Sequence, residues 1–92
     1  MAPIEIHSGL RRLEFERSEQ GAGESTHALV EFVRGTPLTA GQTVRVALGR
    51  RNEMLRELVG VPDLIETHSA NGGTAQYLYR LRAAVTVARV RA

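Results

Sequence analysis

Two short segments carry the residue types that could do chemistry. Ile4-Glu5-Ile6-His7-Ser8 and Ile65-Glu66-Thr67-His68-Ser69 agree at four of five positions. In each, Glu and His stand two apart, which on a β-strand puts both side chains on one face. If the two strands were neighbours, Glu5, His7, Glu66 and His68 would offer two carboxylates and two imidazoles to zinc, nickel or non-haem iron. The competing reading is a pair of half-exposed strands, whose solvent face needs nothing more than polar residues. A hydrolytic site has the ingredients, His7, His27 and His68 with Ser8, Ser25 and Ser69, but no GxSxG elbow to present a nucleophile. The single aspartate, Asp63, follows Pro62, where a local turn hydrogen bond is its expected role.

Composition removes other chemistries. The 92 residues contain no Cys, and all 12 basic residues are Arg. Thiolate nucleophiles, Cys-held zinc, disulfides and iron–sulfur clusters are therefore excluded, as are Schiff-base and Walker-type lysines. The glycine-containing run Gly21 to Thr26 superficially resembles a phosphate-cradling loop. It leads into strand-like sequence rather than a helix and carries Glu24, so a hairpin is the better reading. No catalytic residue and no cofactor is expected.

Alternation of apolar and charged residues organises the chain. Leu13-Glu14-Phe15-Glu16 reads as half-buried strand, within a segment from about Ile4 to Ser18 that breaks at Ser8-Gly9. His27 to Arg34 is apolar on both parities, which predicts a central strand. Thr43 to Leu48 alternates again and should end at Gly49. Asn52 as a cap, with Met54, Leu55, Leu58 and Val59 at helical spacing, predicts one short helix stopped by Gly60 and Pro62. Asp63 to Ser69 reads as a strand, Asn71-Gly72-Gly73 as a hairpin turn, and Ala75 to about Val90 as one long final strand. The expected fold is mainly β, a single small domain. It is a five-stranded barrel or a sandwich with one short helix between strands 3 and 4, an order that resembles the OB barrel in architecture only.

On such a barrel, single-stranded nucleic acid would stack on aromatic side chains beside a basic groove. Tyr77, Tyr79, Arg80 and Arg82 on the last strand, with Arg50 and Arg51, are the residues that could supply this. The alternative places the tyrosines in the core.

Charge is uneven along the chain. Residues 1–34 hold four Arg against six Glu, a net −2, while residues 35–92 net +4. Opposite-sign halves favour an oriented contact with another copy or an acidic partner. The last segment, Ala83 to Ala92, is β-prone and ends in arginines. Val85, Val87, Arg89, Val90 and Arg91 are the expected protein interface, joining another subunit's sheet edge, although such arginines can also act as gatekeepers against runaway pairing. The leading expectation is a non-catalytic structural or adaptor module, a homo-oligomer or a piece of a larger assembly. The compositional profile resembles small viral neck, tail or decoration proteins and bacterial complex subunits. No segment has the roughly 18 consecutive apolar residues of a membrane span, and the start lacks a signal-peptide pattern. The expected location is cytoplasmic, or the virion if the origin is viral.

Overall fold

In the computed structural model, residues 2–20, 23–51, 54–69 and 72–89 are described. They form eight strands and, among the described residues, no helix: β1 (Ile4–Ile6), β2 (Leu10–Gln20), β3 (Gly23–Arg34), β4 (Val44–Arg51), β5 (Met54–Gly60), β6 (Asp63–Ser69), β7 (Ala75–Ala84) and β8 (Thr86–Arg89). A first sheet has the order β1-β4-β5-β8 and a second the order β2-β3-β7-β6. The β1–β4 pair is parallel and the other neighbours are antiparallel.

The core lies between the sheets. The second sheet contributes Ala28, Val30 and Phe32 from β3 with Tyr79 and Leu81 from β7; the first contributes Ile6, Val44, Val46 and Leu58. These are every-second residues of their strands, as a two-layer architecture requires. Burying each of Phe32, Leu58, Val30, Val44 and Val46 contributes about 1.5 to 3 kcal/mol before chain entropy is set against it. The Phe32 and Tyr79 rings stack with centroids 5.6 Å apart. The Tyr79 hydroxyl accepts a hydrogen bond of 2.8 Å from the Leu38 amide, so the one polar atom of that ring is satisfied at the core's margin.

Three expectations are corrected here. The two sheets do not close into a barrel, and the OB-like arrangement gives way to the sandwich. The helix expected after the third strand is strand β5: Met54 stands opposite Arg51 and Leu58 opposite Val46, so pairing in a hairpin overrides the helical spacing. The cap residue Asn52 and Glu53 lie outside the described residues. The single long final strand is two strands in different sheets. Val85 is the crossing point, and its amide donates to the Thr26 carbonyl at 2.8 Å.

Gly49 does not end β4. A bulge between Ala47 and Gly49 lets the strand run on to Arg51, with Gly49 at φ 148°. The break at Ser8-Gly9 is present and is a change of sheet. Gly9 adopts φ 80°, and its carbonyl accepts the Val33 amide at 2.9 Å. A turn closed by the Gln42 amide on the Thr39 carbonyl (3.0 Å) places Gly41 at φ 81°, the third-position conformation of a type II turn.

The β2–β3 ribbon outruns the body. β3 stays paired with β7 only as far as His27 opposite Ala84, whereas β2 and β3 remain paired to Gln20 opposite Gly23. Four register pairs therefore project, about 13 Å at the usual strand rise. The radius of gyration, 14.7 Å, exceeds the roughly 12 Å of a compact chain this long.

Candidate functional site

The expected interface residues sit at and beyond the sheet crossing. Val85 is half-buried and packs against the core. Val87 lies on β8, opposite Arg56 of β5, and is 55% exposed. Arg89 is the last residue of β8, opposite Met54; Val90 and Arg91 lie outside the described residues. β8 pairs with β5 on one side and forms the edge of the first sheet on the other.

The other three edges are each interrupted. β1 is three residues long. β2 has a register shift between Leu10 and Arg12, and β6 one between Leu64 and Glu66. Short length and bulges are the usual means of discouraging edge-to-edge pairing. β8, four residues long, has neither bulge nor register shift over its described pairs.

The residues proposed for nucleic acid are separated by the period of the strand they share. Tyr79 is buried against Phe32, and Tyr77, half-buried, packs against the same core. Arg80 and Arg82, one step out of phase, face away from it. Arg80 donates to Glu31, with Nε 2.9 Å and Nη2 2.6 Å from the same carboxylate oxygen, and Arg82 donates to Glu16. The expected platform of tyrosines beside arginines is thus not assembled, because residues of opposite parity on a strand face opposite sides of its sheet. Arg50 is exposed near the end of β4, and Arg51 is its last residue, both remote in register from the tyrosines.

The two Glu-x-His segments are also kept apart. Glu5 lies on β1 and His7 just after it, at an edge of the first sheet, while Glu66 and His68 lie on β6, at an edge of the second. Strand β1 pairs with β4 and β6 with β7, so the four side chains are not brought together by pairing. Among the described residues no three metal-ligating side chains cluster.

Glu5 instead belongs to a charge ladder across the outside of the first sheet. His7 Nε2 lies 3.4 Å from Glu5, Arg45 Nη1 3.6 Å from Glu5, and Arg45 Nε 3.4 Å from Glu57. Glu57 is only 8% exposed, and its charge is balanced there by Arg45. On the second sheet, the hydrogen bond and charge of Glu14 hold the Arg12 guanidinium above its ordinary pKa.

One grouping was not anticipated from sequence. On the core-facing side of β2, Leu13 stands opposite Val30 and Phe15 opposite Ala28, yet Leu13 is 40% and Phe15 48% exposed. They lie on β2, the edge strand of the second sheet. Facing them across the sandwich are Arg56, whose guanidinium carbon lies 5.4 Å from the Phe15 ring centre, then Met54 and Val87, the neighbours of Arg56 along and across the strand. Alternation marks Leu13 and Phe15 as inward, and the structure leaves both partly exposed at the edge of the second sheet, with Arg56 over the Phe15 ring.

The described residues form two β-sheets packed on a shared apolar core, with β8 at an edge of the first. No protein-family model matches the chain, and no curated protein or solved structure matches it. Among the described residues no helix is long and apolar enough to cross a membrane.

Proposed function

We propose that this chain is a non-catalytic structural module that self-assembles through the β8 edge of its first sheet together with the C-terminal segment. The observation that carries this reading is that, among the described residues, the four-residue β8 is an edge without a bulge, with a side that pairs with no described strand, beside the exposed Val87. A second sheet edge can pair with that side by strand addition, with main-chain hydrogen bonds supplying affinity and alternate side chains supplying choice. The small size of the chain adds motive, since a domain this short has a modest core of its own and gains from a partner's.

The test is sedimentation velocity over a wide concentration range, for the full chain and for a chain ending at Thr86. The full chain is expected to sediment above the monomer and the shortened one as a monomer. A full chain that stays monomeric at the highest concentration overturns the reading.

A further inference from the structure

We infer that the cavity shared by Tyr79 and Gln42 binds a small uncharged carboxamide, whose carbonyl oxygen accepts the Tyr79 hydroxyl proton and whose N–H donates to the Gln42 side-chain oxygen. The site contains no residue of β8 and goes beyond the assembly reading, so either can fail without the other.

The cavity, about 310 Å³, reaches from Tyr79 in the second sheet to Gln42, just before β4 in the first. Its size falls at the lower end of the roughly 300 to 1,000 Å³ in which proteins hold small molecules. Leu38, Val61, Pro62 and Leu64 give it apolar walls. Leu64 stands opposite the core-facing Tyr79 yet is 52% exposed, so the walls can be reached from solvent.

Two polar groups set among those walls carry the inference. Tyr79 is 5% exposed and Gln42 8%. A tyrosine hydroxyl can both donate and accept. Here it accepts from the Leu38 amide at 2.8 Å, and among the described residues nothing accepts its own proton. Gln42 is in the converse position. Its Nε2 donates to the Thr43 carbonyl at 2.8 Å and to the Ala2 carbonyl at 3.3 Å, while among the described residues no donor reaches Oε1. Buried polar groups are nearly always paired, so a donor and an acceptor left over on one cavity specify a ligand with the opposite pair. A carboxamide carries both on neighbouring atoms.

The lining also selects against charge. Asp63 is its one carboxylate, no Arg or His lines it, and Asp63 stands opposite Arg80, which faces away from the core. Nothing is therefore placed to balance an ion, and an unbalanced ion is costly to bury.

Benzamide is the probe, titrated into the isotope-labelled full chain and followed by amide nuclear magnetic resonance. Saturable shifts are expected at the Leu38 and Gln42 amides, with a dissociation constant in the millimolar range that so small a ligand allows. Acetophenone, which keeps the carbonyl and has a methyl group in place of the amide nitrogen, should bind about tenfold more weakly. Benzoate should give no saturable shift there. Tyr79→Phe should weaken benzamide about tenfold. Because that variant also deprives Leu38 of its acceptor, Leu64→Ala provides a second one at an exposed position. It removes only apolar contact and should weaken benzamide and acetophenone alike. Equal binding of those two ligands, binding untouched by both substitutions, or no saturable shift at these amides, as when water alone satisfies the two groups, overturns the inference.

Discussion

Gly9 and Gly41 form a matched pair of sites that separates backbone strain from steric exclusion. Their φ angles are 80° and 81°, so alanine meets the same left-handed penalty at each, about 1 to 2 kcal/mol. Their surroundings differ. A Cβ at Gly41 finds nothing within 4 Å, whereas a Cβ at Gly9 would lie 2.5 Å from the Val33 carbonyl oxygen. That oxygen is backbone and cannot rotate aside. Relief requires moving β3 or the chain that crosses between sheets, where the Gly9 carbonyl receives the Val33 amide. Forced overpacking adds roughly 1 to 3 kcal/mol, so Gly9→Ala should cost about 2 to 5 kcal/mol and Gly41→Ala about 1 to 2. A chain of this length has roughly 5 to 14 kcal/mol in total. At about 4 to 8 °C per kcal/mol, Gly41→Ala should lower Tm by roughly 5 to 15 °C and Gly9→Ala by about twice that. Urea denaturation followed by circular dichroism, with equal slopes for both variants, measures the difference directly. Equal losses at the two sites would refute the reasoning, since they would show that the close approach at Val33 contributes nothing.

Tyr79→Phe keeps the stack on Phe32 but leaves the Leu38 amide without its acceptor. A loss of about 1 to 2 kcal/mol and faster hydrogen exchange at that amide are expected. Arg45→Met strips Glu57 of its balancing charge; with Arg45 only half-buried, a cost of about 1 to 2 kcal/mol is expected by urea denaturation. Adding Glu57→Leu to that variant should recover most of it, because both polar partners then leave together. Zinc or nickel should leave Tm unchanged, because the Glu5–His7 and Glu66–His68 pairs lie on separate sheets; a rise that grows with metal concentration would show a shared site.

Strand identity was readable wherever one face had to be buried. β3, apolar on both parities, is central as its sequence implied, and Asp63 to Ser69 is β6 residue for residue. Glycine marked the first change of sheet. What alternation could not convey is which sheet a strand joins, because the period of two is the same in both. Val85 therefore passed as the interior of one strand. Met54 to Val59 misled for a related reason: apolar side chains on both faces of a paired strand reproduce a helical spacing, and only the opposing Val46 and Arg51 decide between them. The pairing of tyrosines with arginines failed on phase, a matter the sequence does contain. The exposure of Leu13 and Phe15 was not legible, because alternation tells which face a side chain takes and not whether the other sheet covers it.

The order in which the strands are made also has a consequence for biosynthesis. The backbone visits the sheets in turn, β1 in the first, β2 and β3 in the second, β4 and β5 in the first, β6 and β7 in the second, β8 in the first. Neither layer is contiguous in the gene. While a ribosome is still elongating, Phe32 has no ring above it until Tyr79 emerges, and β6 has no neighbour until β7 does. Until β7 and β8 emerge the earlier strands stay in an unsealed state, and both layers are completed together.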